Sequence, residues 1–184
     1  MRLTLHYRGR LRANGSPGHK HEIRRHFHSQ LQTLWRQKPL SEDADLLARH
    51  KPGGYSLLRP SGAFTFAPLV TAEMDATAEL SLTVLRPEPP GCLLTQGGDI
   101  DNRLKTLFDA LTMPRHANAM PADLSPMETE KPFFCLLEDD NLVTSVNVRT
   151  EQLLEQGIDD SLVELFIYVR TRTTRQTFGN SFLS

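Results

Sequence analysis

Gly97-Gly98-Asp99-Ile100-Asp101-Asn102-Arg103-Leu104-Lys105-Thr106-Leu107-Phe108-Asp109-Ala110-Leu111 joins a glycine-led loop to an amphipathic helix. Leu104, Leu107, Phe108 and Leu111 recur at helical spacing and make one apolar face, ready to dock on a sheet. Asp101, Lys105 and Asp109 fall at i, i+4 and i+8 on the opposite face. Asp101 or Asn102 suits the N-cap, and the glycines allow the chain to approach closely before it. The helix is expected over 101–111.

Strand-like segments lie on either side of this helix. Arg2 to Arg10 alternates Leu3, Leu5 and Tyr7 with polar residues, the period of a half-buried strand. Ala63 to Val70 and Ala78 to Arg86 precede the helix, and Leu142 to Arg149 and Leu162 to Thr171 follow it. The dense turn signal from Ala13 to Gly18 leads into a second helix, about 20–37, with Ile23, Phe27, Leu31, Leu34 and Trp35 as its stripe. Trp35 is expected to anchor the core. Together these elements predict an α/β (α+β) domain, a single mixed sheet of about five strands with two principal helices. The domain is expected over 1–171, with an insertion loop at about 112–137 and a loose tail at 172–184.

Composition narrows the function classes. The chain has 184 residues, 39% hydrophobic and 23% charged, ordinary for a globular domain. It has no apolar run of the ~20 residues that span a bilayer and no signal-like stretch near Met1, so a cytoplasmic protein is expected. Cys92 and Cys135 stand in no CxxC spacing and are expected as buried, reduced thiols. The net charge is −1, but residues 1–39 hold nine Lys/Arg against Glu22 alone, a net +8, leaving −9 on the rest. One cationic face suffices for phosphate binding. Arg10, Arg12, Lys20, Arg24 and Arg25 are therefore DNA-backbone candidates, with Arg103 behind them. His6, His19, His21, His26 and His28 share this region. Nearby cations disfavour a zinc site there, so solvated or phosphate-facing rings are expected.

Two acidic clusters carry the chemistry. The first is Asp99-Ile100-Asp101, continued by Lys105 and Asp109. The second, Glu138-Asp139-Asp140-Asn141, opens the strand at Leu142, and its consecutive acids repel one another unless a cation offsets them. If the clusters converge, they suit Mg²⁺, which takes one or two carboxylates plus water and phosphate oxygens. Such a metal serves phosphodiester hydrolysis, and a neighbouring lysine stabilises developing charge. Taken alone, the first cluster is equally a capped helix with i,i+4 ion pairs worth a few tenths of a kcal/mol each, and the second is good turn chemistry.

DIDNRLKTLFDAL followed by EDDN and a strand resembles the RusA family of Holliday-junction resolvases, over about 99–112 and 137–150. The resemblance implies that Asp99, Asp101 and Asp140 are catalytic acids, that Lys105 is the functional lysine, and that Asp109 is the later helical acid. It implies metal at Asp99, Asp101 and Asp140, with Asp139 as a further ligand, and Mg²⁺ as cofactor with Mn²⁺ a substitute. It further implies a homodimer that cuts four-way DNA junctions by paired nicks, two-fold-related sites matching a two-fold substrate. Two alternatives stand beside it. One is a non-catalytic branched-DNA-binding or scaffold protein of this fold. The other is a metal-dependent nuclease acting on other structured or single-stranded nucleic acid.

Overall fold

A computed structural model of the chain describes residues 1–48, 56–87, 100–122, 124–157, 159 and 161–183. Strand β1 (Arg2–Arg10) is followed by helix α1 (Pro17–Trp35), then β2 (Arg59–Ser61), β3 (Phe64–Val70) and β4 (Ala76–Arg86). Helix α2 (Ile100–Leu111), β5 (Phe133–Leu137), β6 (Val143–Gln152) and β7 (Leu162–Thr173) complete the order. The class is the mixed α+β one expected. The strands, however, form two sheets, one ordered β1-β7-β4-β6 and the other β2-β3-β5. In the larger, β7 is antiparallel to both β1 and β4, and β6 runs parallel to β4. In the smaller, β3 is antiparallel to β2 and parallel to β5.

The extra sheet has a physical reason. β5 is Phe-Phe-Cys-Leu-Leu, buried at every position. A strand covered on both faces shows no alternation, so it lacks the period-2 signal that β1, β4 and β7 carry. It lies inside the stretch expected as an insertion loop, whose end is therefore core. Cys135 is a buried free thiol there, its pKa pushed up by burial. Cys92 lies outside the described residues.

Helix α1 begins at Ser16, whose hydroxyl accepts from the His19 N–H, with Pro17 at the first turn. Ile23, Phe27, Leu31 and Trp35 are buried, the stripe read from the sequence, and Trp35 packs near Phe134. Each such side chain contributes roughly 1.5–3 kcal/mol by leaving water. The turn before α1 also fixes α2. The Gly15 N–H donates to Thr106 Oγ1 at 2.9 Å, and a Cβ on Gly15 would lie 2.7 Å from Thr106 Cγ2. Only glycine permits this approach.

The tail is packed rather than loose. β7 runs on to Thr173, and a 3-10 segment, Phe178–Leu183, returns to the core. Leu183 and Asn180 are buried, the Asn180 amide donates to Met74 O and Arg175 O, and Leu183 O accepts from Thr171 Oγ1 and the Met1 amine. The closing Phe182 and Leu183 are what pull the segment inward. No described helix is long and apolar enough to cross a membrane.

Candidate functional site

Helix α2 carries the first half of the site. Thr106, Leu107, Ala110 and Leu111 are buried, while Asp101 and Lys105 are exposed and Asp109 is half-buried. The helix's C-terminal end is held by Arg24 of α1, whose guanidinium donates to Asp109 O at 2.7 Å and to Thr112 O at 3.4 Å. These are carbonyls that no further turn of helix would satisfy, and the negative end of the helix favours the cation. Burial lowers the Arg24 pKa to about 10, which leaves it charged at neutral pH. Lys20, one turn earlier on α1, pairs with the Asp109 carboxylate at 2.7 Å.

The second half comes from the β5–β6 connection. Glu138 is structural, since it accepts from Arg59 Nε at 2.7 Å and from the Ala72 N–H at 3.0 Å. Asp139 caps the 3-10 turn Asp140–Leu142 by accepting from the Asn141 N–H at 2.9 Å. That N–H, and then the neighbouring Asp140 and the Arg115 guanidinium, hold the Asp139 carboxyl below the usual range against a burial cost. Arg115 donates to Asp139 and, at 2.8 Å, to Asp140. The repulsion expected of three consecutive acids is thus offset by Arg59 and Arg115.

These halves meet. Asp101, Lys105 and Asp109 of α2 and Asp140 from before β6 line one groove of about 480 Å³, with Leu104, Phe108, Val143 and Val146 as its apolar wall. A smaller cavity of about 270 Å³ shares Asp109 and Asp140 and is bordered by Lys20, Arg115 and His116. Acids therefore sit between an apolar groove and a cationic pocket. The sequence matches no protein-family model, no curated protein and no solved structure.

Among the described residues, no three Asp, Glu, His or Cys side chains form a ready-made metal cage. Asp99, the remaining expected ligand, lies outside them. The donors present are of the type a hard cation takes. Asp101 and Asp140 line a single groove, and Mg²⁺ is a cation that takes one or two carboxylates together with water and phosphate oxygens.

The expected DNA contacts fare differently. Arg12 is exposed and Lys20 lines the cationic pocket. Arg24, 2% exposed, is a helix-end brace with its guanidinium hydrogen-bonded to the end of α2. Arg25 pairs with the buried Glu130 at 2.6 Å, Arg10 with Asp159 at 2.6 Å, and Arg103 donates to Leu11 O at 2.7 Å. A basic helix facing its own fold spends its cations on carbonyls and acids there. Three of the five histidines are likewise drawn inward, while His26 is exposed. His19, His21 and His28 are buried, which lowers all three pKa values. His28 Nδ1 accepts from the Phe134 N–H at 2.8 Å and its Nε2 lies 3.0 Å from Thr129 O, a neutral ring bridging two backbone segments. Sequence reading missed Arg115 and His116. Their available signal was two basic side chains just beyond the α2 C-terminus.

Proposed function

We propose that the chain is a Mg²⁺-dependent endonuclease that hydrolyses phosphodiester bonds in branched DNA, with Mn²⁺ able to replace Mg²⁺. The observation that carries this reading is the groove shared by Asp101, Lys105, Asp109 and Asp140, contributed by segments far apart in sequence. The resemblance of the same residues to the RusA pattern supports it. Asp101 and Asp140 would hold the cation, with Asp99 and Asp139 as further ligands. A bound divalent cation supplies Lewis-acid stabilisation of the phosphate and acidifies water. Lys105 places a positive charge where the phosphate gains negative charge. Asp109, shared with the smaller cavity, is tied there to Lys20. The apolar wall of Leu104, Phe108, Val143 and Val146 accepts a sugar or base edge and limits water. Homodimerisation would set two such grooves for paired nicks on a four-way junction.

The test is cleavage of a labelled synthetic four-way junction in Mg²⁺ by the wild type and by Asp101→Asn. Paired, symmetric nicks are expected, lost in the variant while its thermal melt stays unchanged. An Asp101→Asn variant with full activity would remove the metal assignment. Cleavage of flaps or single strands in preference to junctions would move the substrate and keep the chemistry.

A second reading has its own observation. Arg115 already pairs with both Asp139 and Asp140, an arrangement that suits a protein binding branched DNA without cutting it. Junction binding without cleavage in either Mg²⁺ or Mn²⁺ would select that reading.

A further inference from the structure

The larger sheet packs one face on the core and leaves the other outward. On the outward face β7 presents Phe166, Tyr168, Arg170 and Arg172 in succession. Tyr168 is 52% exposed because its partners across the sheet, Thr4 on β1 and Ser81 on β4, are too short to cover the ring. Phe166 sits between His6 and Thr83, with the His6 ring tilted against it at 4.9 Å. A half-wet aromatic ring at mid-sheet gains little from packing, since most of its apolar surface stays in water.

Beside the rings stands an unbalanced set of cations. Arg170 is directly opposite Arg2 in the β1–β7 ladder, a like-charge pair that weakens strand pairing. Arg172 follows on the same face. Glu79 is shared between them, 3.2 Å from Arg172 Nε and 3.9 Å from Arg170 Nη1, while Arg2 makes no ion pair among the described residues. Arg2, Arg170 and Arg172 line a concavity of about 520 Å³ together with Met1, Thr171 and Thr173. Glu164, the next acid along β7, is taken by His6 at 3.0 Å. Local like-charge repulsion of this kind is relieved by an anion.

We propose that this outward face is a platform for single-stranded nucleic acid, with Tyr168 and Phe166 stacking unpaired bases and Arg2, Arg170 and Arg172 holding the adjoining phosphates. Spacing favours a single strand over a duplex. Residues two apart on a strand lie about 6.6 Å apart, roughly twice the 3.4 Å per nucleotide of a duplex strand. The rings therefore suit bases spread apart, and a π-face stacks any base. Charge favours a polyanion over a second copy of the same face, since three cations around one acid find no complement in themselves. The proposal does not depend on the carboxylate groove.

Fluorescence anisotropy tests it, using the full chain in EDTA with a short mixed-sequence DNA strand and with its duplex. The single strand is expected to bind more tightly than the duplex. Tyr168→Ala should weaken single-strand binding about tenfold, the loss of one base stack, and Tyr168→Phe should retain it. Arg2→Ala should reduce the slope of log affinity against log salt by about 0.7, one phosphate contact fewer. Unchanged binding by Tyr168→Ala, or equal affinity for duplex, overturns the platform. Sedimentation showing a dimer that Tyr168→Ala disperses also overturns it and gives the face to a second copy.

Discussion

Arg115 Nη2 donates to Asp140 Oδ1 at 2.8 Å, and the same nitrogen holds Asp139. A residue from just beyond α2 thus occupies, as a cation, the carboxylates that the proposed metal would use. Both partners of this bridge are largely exposed, so the competition is mild, on the order of 1 kcal/mol. Arg115→Ala is expected to tighten Mn²⁺ binding about fivefold by titration calorimetry. No gain in affinity would show that Asp139 and Asp140 are not the ligands.

His21 is 2% exposed among Phe64 and Phe133, with neither ring nitrogen hydrogen-bonded. Burial, then Arg24 and Arg25, lowers its pKa to about 4, so the folded protein keeps the ring neutral while the unfolded chain protonates it near 6.5. The unfolded state therefore binds more protons between these values, and stability falls as pH drops through them, by up to on the order of 3 kcal/mol from this group. Melting temperatures measured from pH 7 down to pH 4 should decline. In His21→Leu the decline should be shallower and the neutral-pH stability equal or higher, because an unpaired buried polar ring is removed. An identical pH profile in the variant would refute the assignment.

Glu130 is 1% exposed and accepts from Arg25 Nε at 2.6 Å and from the Met127 N–H at 2.9 Å. Burial alone would raise its pKa, but these donors outweigh it and the carboxyl is held low. Glu130→Ala leaves Arg25 and the Met127 N–H without their acceptor. A loss of about 2 kcal/mol is expected, or roughly 4–8 °C in Tm for a domain of this size. A cleavage or binding defect without a change in Tm would point to a direct role for Arg25 at DNA, the role its sequence position suggested.

Truncation after Thr173 removes buried Asn180, Phe182 and Leu183. Losing the burial of two apolar side chains costs roughly 3–6 kcal/mol. Denaturant unfolding of the truncated chain should show a matching drop in midpoint. A midpoint close to that of the full chain would make the tail dispensable.

The two helices, β1, β4 and β7 were legible because each has one wetter and one dry face, and the period of the apolar residues follows directly, whereas β3 keeps only Thr65 out of the core and β6 is exposed along most of its length. β1 begins and ends where alternation in residues 2–10 places it. β5 was not legible, because burial on both sides erases alternation. β2 is three residues long and contains Pro60. The tail was misread because its polar stretch, Arg172 to Gln176, hides two apolar anchors six residues further on.

Local spacing alone determined that Asp101, Lys105 and Asp109 share one helix face, since 3.6 residues per turn leaves no other arrangement. It also determined that acids open β6. That Asp140 faces the same groove as Asp101, that Arg24 and Arg25 are spent on the fold, and that Arg115 reaches the acids were decided only by tertiary structure. Those relations join residues tens of positions apart, and a side chain's partner at that range is set by which elements stack and in what register. Periodicity within one element carries no information about that.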